Sequence, residues 1–142
     1  MQEALKEAEK AHELGEVPVG AVITRRNEVI ARGYNCMELT GDPTAHAEIL
    51  AIRRAAEKLA GWRLEGCTMY VTLEPCPMCA GALIQARVKM LVFGAYDARA
   101  GAVGSVVNLV EDKRFNHRLE VVAGILEEEC VLLLKDFFAG LR

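Results

Sequence analysis

Two short segments hold the residue types that could do chemistry. Thr44-Ala45-His46-Ala47-Glu48 carries an imidazole and a carboxylate two positions apart, and Pro75-Cys76-Pro77-Met78-Cys79 carries two thiols three apart. On a helix, a spacing of three puts both sulfurs on one face. A helix N-terminus also favours the thiolate, the form of cysteine that binds metal. With an imidazole as third ligand, His46, Cys76 and Cys79 match a zinc centre that keeps one tetrahedral position open for water. Zinc lowers the pKa of such a water to about 7, so a nucleophile exists at neutral pH. Glu48 is placed to take the water's proton without ligating the metal.

The same cysteines admit other readings. A Cys-x-x-Cys pair can be half of a closed four-ligand site, completed by Cys36, Cys67, Cys130 or His117, or it can be a redox pair. The closed site lacks a second Cys-x-x-Cys or a paired-histidine motif. The redox pair would leave His46 and Glu48 idle.

The elements that must position these residues alternate between helix and strand. Residues 3–14 space Leu5, Ala8, Ala11 and Leu14 as one helical face, closed by Gly15. Val19 to Thr24 and Val29 to Tyr34 read as strands around a hairpin turn at Arg25-Arg26-Asn27, followed by a polar loop from Asn35 to Pro43. Thr44, with Asp42 nearby, can cap a helix running to Leu59 and ending at Gly61. Cys67 to Leu73 alternates as a strand. Pro75 and Pro77 suit only the first turn of a helix that runs to about Arg87. Lys89 to Ala95 is a nearly continuous apolar strand of the kind found in covered parallel sheets. Strand, helix, strand at this spacing is a right-handed βαβ unit. A fifth strand at Glu120 to Val122 and a last helix at Glu127 to Phe138 complete the chain. The expected fold is a three-layer α/β/α sandwich with a central mixed five-stranded sheet, built as a single domain over residues 1–142.

Composition sets outer limits. The chain has 142 residues, 52% hydrophobic and 26% charged, which is a globular rather than a disordered balance. No apolar run approaches a membrane span, and the start lacks the basic and apolar regions of a secretory signal. A cytoplasmic protein is expected. Five cysteines, an odd number, argue against a disulfide framework. Cys36, Cys67 and Cys130 read as small fillers, and His12 as a helix-surface residue. The net charge of −3 excludes a wholly basic nucleic-acid binder but not a local basic patch.

His-Ala-Glu followed by Pro-Cys-x-x-Cys resembles the cytidine and nucleoside deaminase superfamily, whose zinc signature takes this form. The wider sequence is similar to the bacterial tRNA adenosine deaminases. The similarity runs through Glu16-Val17-Pro18-Val19-Gly20-Ala21, Asp42-Pro43-Thr44-Ala45-His46-Ala47-Glu48, Thr72-Leu73-Glu74-Pro75-Cys76 and Phe93-Gly94-Ala95-Tyr96-Asp97-Ala98-Arg99. It covers nearly the whole chain. It implies a cytidine deaminase-like fold, one Zn2+ per subunit, a homodimer, and conversion of the wobble adenosine of a tRNA anticodon loop to inosine. His46, Cys76 and Cys79 would hold the zinc and Glu48 would shuttle protons. Asn35 would contact the flipped nucleoside, with Val17, Pro18 and Ala47 beside it. Asp97 could accept from a ribose 2′-hydroxyl, which favours RNA. Phe137, with Phe138, could offer a stacking face to anticodon bases.

Two alternatives share these features. A deaminase of a free base or nucleoside, such as guanine or cytidine, would use the same metal and the same Glu48. A zinc-stabilised module that only binds RNA or a partner would not need that carboxylate.

Overall fold

A computed structural model describes residues 1–141. Helix α1 (Gln2–Glu13) leads into β1 (Gly20–Arg25) and β2 (Glu28–Tyr34). Arg26 and Asn27, between the two strands, both have positive φ, 53° and 64°. That pair defines a tight hairpin turn whose twist matches the strands it joins. Then come α2 (Met37–Thr40), α3 (Ala47–Leu59), β3 (Cys67–Leu73), α4 (Pro77–Gln85), β4 (Met90–Ala95), β5 (Glu120–Ala123) and α5 (Glu127–Ala139).

The sheet order is β2-β1-β3-β4-β5. β1 runs antiparallel to β2 and β3, while β4 runs parallel to β3 and β5. The sheet is therefore mixed and five-stranded, with α3 and α4 packed on one face and α1 and α5 on the other. The apolar core cluster lies under α3 and α4. There Ile23, Met69, Val71, Leu91 and Phe93 of the sheet meet Ala51, Ala55, Ala80 and Leu83 of the helices. Alternation along each strand sends Val22, Tyr70 and Val92 to the opposite face.

Two glycines bring helices into contact with bare backbone. A Cβ on Gly20 would meet Ala4 O and Ala8 N of α1, and a Cβ on Gly33 would meet Ala47 O and Ala51 N of α3. Gly33 pairs with Ala21, the residue after Gly20, so the two contacts sit side by side on opposite faces of the sheet.

The structure departs from the sequence-based expectations at several points. Thr44 does not cap α3. The helix starts at Ala47, with His46 extended at the cap position (φ −74°, ψ 151°) and no side-chain cap bond. Thr44 donates instead to Asp42 Oδ1, through its N–H at 2.8 Å and its hydroxyl at 2.7 Å, so the pair forms a local turn. α3 ends at Leu59, and Ala60 rather than Gly61 takes the left-handed position. Only Pro77 lies in α4, since Cys76 occupies its cap position and Pro75 precedes it. The polar loop contains α2, because the buried carboxylate of Glu16 accepts from the N–H groups of Glu38 and Leu39 at its start. His12 is half-buried against Phe137, with ring centroids 6.0 Å apart, rather than on the surface. Among the described residues, no helix is long and apolar enough to cross a membrane.

Candidate active site

The parallel strands β3 and β4 both end at one rim of the sheet, and in open α/β sheets the crevice beyond such carboxyl ends is the usual ligand site. β3 runs straight into Glu74, Pro75 and Cys76. Pro77 at the first helical position fixes α4 from its first residue, which leaves Cys76 at the cap and Cys79 one turn on. The extended backbone at His46 turns its ring toward these sulfurs from the start of α3.

His46, Cys76 and Cys79 form the potential metal-ligating group found among the described residues, with their donor atoms all within 4.8 Å of one another. His46 Nδ1 lies 3.6 Å from Cys76 Sγ and 3.4 Å from Cys79 Sγ. Bonds of about 2.3 Å to sulfur and about 2.0 Å to nitrogen at a tetrahedral centre put N and S roughly 3.5 Å apart. The three side chains thus fit a single tetrahedral cation. None of the alternative fourth ligands joins them. Cys67 and Cys130 are buried elsewhere, and His117 Nε2 pairs with Val88 O at 2.7 Å.

The three side chains share protons with one another. Hydrogen bonding from Cys79 and His46 pulls the Cys76 thiol down to about 4, despite partial burial. The Cys79 thiol, which shares its proton with Cys76 and is buried, is pushed up. His46 is raised, chiefly by its bond with Cys76. Glu48, on the first turn of α3, is 4% exposed, and burial pushes its carboxyl up to about 7.

These groups open into a cavity of about 190 Å³. Val17, Val19, Met37 and Leu73 give it apolar walls, while Asn35, Glu48, Glu74 and Asp97 add polar atoms. Of the residues singled out from sequence, His46, Cys76, Glu48, Asn35, Val17, Ala47 and Asp97 line it, and Cys79 lies buried directly beneath. Asn35 donates to Val17 O at 3.2 Å, and its buried Oδ1 has no partner among the described residues. Asp97 Oδ1 accepts from the N–H groups of Arg99 and Ala100. Pro18 is buried and does not line the cavity, and neither does Phe137, which is half-buried between His12 and Phe138. Sequence reading passed over Glu16, Met37, Glu74 and Ala100. Two of these are buried carboxylates, and their sequence offered no sign of the loop amides they bind.

A group of three potential metal ligands with a buried carboxylate outside it, set at two helix starts beyond a mixed sheet, fits a nucleobase deaminase of the cytidine deaminase-like fold. A family model for MafB19-like deaminases matches residues 1–142. The tRNA-specific adenosine deaminase of Bacillus subtilis (strain 168) is 55% identical over 142 residues, covering 100% of this chain and 88% of that one. The enzyme of the same name from Aquifex aeolicus (strain VF5) is 48% identical, covering 98% and 91%. A solved structure from a study of A-to-I editing by tRNA:A34 deaminases superposes with a TM-score of 0.90 at 45% identity, covering 94% and 96%. A guanine deaminase from Nitrosomonas europaea follows with a TM-score of 0.80 at 26% identity, covering 96% and 81%. The chain belongs to the tRNA-specific adenosine deaminase family.

Proposed function

We propose that this protein converts adenosine to inosine at the wobble position of a tRNA anticodon by hydrolysis. The observation that carries the reading is the buried Glu48 carboxylate beside the His46, Cys76 and Cys79 group at the floor of one cavity. The names of the full-length relatives support the choice of substrate.

His46, Cys76 and Cys79 would hold a zinc ion, the metal that suits one imidazole and two thiolates. When bound, zinc acts as a Lewis acid that makes a water reactive near neutral pH. The remaining work falls to the chain. Glu48 takes a proton from the attacking water and delivers it to adenine N1 as oxygen bonds to C6. The same carboxyl then moves the proton of the new C6 hydroxyl to the amino group, the C–N bond breaks, ammonia leaves, and the C6 carbonyl of inosine remains. A carboxyl held near neutrality by burial is suited to both transfers. Val17, Val19 and Leu73 exclude water from the base. Asn35 Oδ1, buried and without a partner, is an acceptor for a donor on the nucleoside. Asp97 would face the ribose. The base must leave its stack to enter.

Residues 1–142 would work as one deaminase domain, in the cytoplasm where tRNA resides, and as a homodimer. The sequence of α4, Pro-Met-Cys-Ala-Gly-Ala-Leu-Ile-Gln, is apolar on nearly every face, yet Met78 is 37% exposed. Such a helix calls for cover on its outer side. Gly81, at its centre, has nothing within 4 Å of where a Cβ would stand, so its own subunit gives no reason for a helix-weakening residue there. Close approach of a second copy would.

Incubating the zinc-loaded protein with an anticodon stem-loop bearing a wobble adenosine, and separately with adenosine, cytidine and guanine, tests the reading. Inosine from the stem-loop alone is expected. Turnover of guanine with an untouched stem-loop would instead place the chain with the guanine deaminases whose fold it shares.

A further inference from the structure

Glu74 lines the cavity and takes no part in the chemistry set out above. It follows β3 and is 2% exposed. Its Oε1 accepts from the Asp97 N–H at 3.0 Å and from the Ser105 hydroxyl. Its Oε2 accepts from the N–H groups of Val103 at 3.0 Å and Ser105 at 3.1 Å. All of these donors belong to one segment, residues 97–105. A second tie runs from the Ala102 N–H to Pro75 O at 2.8 Å. Gly101 completes the fit, since a Cβ there would strike the Glu74 carboxylate. With its lone pairs engaged by a single loop, this carboxylate serves as an anchor rather than a proton carrier. The anchored loop brings Asp97 and Ala100 onto the wall of the cavity that Asn35 and Met37 also line.

We propose that Glu74 is a positioning residue for substrate: by binding the backbone of residues 97–105, it sets the wall formed by Asp97 and Ala100 against which the nucleoside seats. The proposal rests on the deaminase reading and deepens it. Cys76, two residues on, is held by its own cap position in α4, so the wall and the metal group can be perturbed separately.

The test uses Glu74→Gln, with Ser105→Ala as a milder variant at an exposed position. Glutamine keeps the shape, but its NH2 must face N–H donors. In place of Oε1 it opposes Asp97, and in place of Oε2 it opposes Val103 and Ser105. KM for the stem-loop is expected to rise about tenfold in Glu74→Gln and about threefold in Ser105→Ala, the scale of one lost hydrogen bond. The kcat and the bound zinc should stay within about twofold of wild type, because the interaction lost is one of seating rather than of chemistry. Amide exchange at Asp97, at Val103 and at position 105 should quicken in both variants. A lower thermal midpoint with unchanged KM would make Glu74 a plain fold stabiliser and overturn the proposal. So would a fall in kcat alone, or unchanged amide exchange. If wild type turns over a free base and not the stem-loop, the substrate reading fails, and the same KM comparison on that base decides the role of Glu74.

Discussion

Glu48 and Glu74 are buried glutamates on one cavity, and what faces each decides its chemistry. For Glu48, burial outweighs the lowering by its own backbone N–H, His46 and Cys79, so its carboxyl stands near 7 and can both take and give a proton. Burial would raise Glu74 too, but hydrogen bonds from Ser105, Asp97 and Val103 outweigh it and hold that carboxyl below its ordinary value. Glu48→Gln, which keeps the shape and removes the base, should lower kcat by about 10²–10⁴-fold. Zinc content should be retained, and single-turnover rates with metal analysis would check both. Unchanged turnover would remove Glu48 from the mechanism. A second residue-scale prediction concerns Asp112, whose carboxyl is held down to about 2 by the Arg114 guanidinium and N–H. A depressed carboxyl stabilises the fold above its unfolded value and loses that contribution as pH falls through the folded one. The contribution of Asp112 should therefore be intact above about pH 4 and fade between about pH 4 and 2. NMR titration should place its midpoint near 2, and Arg114→Ala, which removes the guanidinium but keeps the backbone N–H, should raise it toward about 3.9. At this scale the sequence was most legible for residues whose type declares their chemistry: a histidine, two spaced cysteines and a nearby glutamate. Glu74 and Glu16 were not legible, because their roles lie in backbone amides more than twenty positions away.

The elements of the fold were readable where apolar periodicity was strong. β3 and β4 emerged from alternation and from a near-continuous apolar run, and α5 from its spacing. The segment around Thr44 was not readable. Its Ser/Thr cap signal competes with a turn that Asp42 makes with the same residue, and the turn takes both Thr44 donors while His46 stands extended at the cap position. The helix α2 was also hidden, since the group that starts it belongs to Glu16, on the far side of a strand pair. The metal group joins the starts of α3 and α4, so an ion there acts as a clamp between two elements. Ligand in thousandfold excess over its dissociation constant stabilises by about 4 kcal/mol, which in a chain of this size corresponds to a thermal shift on the order of 10 °C. Chelation should lower the melting midpoint by that order in calorimetry. An unchanged midpoint would mean that the purified protein held no metal.

For the molecule as a whole, the net charge of −3 implies that RNA affinity comes from a confined surface rather than from bulk attraction. The homodimer reading makes a direct prediction. Gly81 has open space around it in its own subunit, so Gly81→Arg should leave the monomer fold intact and place a charge where the second copy would sit. Sedimentation should then report a monomer in place of a dimer. A variant that still dimerised would move the contact off α4. The twin glycines of the β1–β2 hairpin carry a further consequence. Where Gly20 meets α1 and Gly33 meets α3, the protein is a sandwich with almost no filling: helix backbone, one sheet, helix backbone. Thickness there cannot be absorbed by side chains that bend aside. A single methyl added to the inner surface of α1, at Ala4 or Ala8, would be passed through the sheet to the helix that carries His46 and Glu48. The reach of His46 and Glu48 is thus gauged by a helix that contributes no residue to the cavity wall.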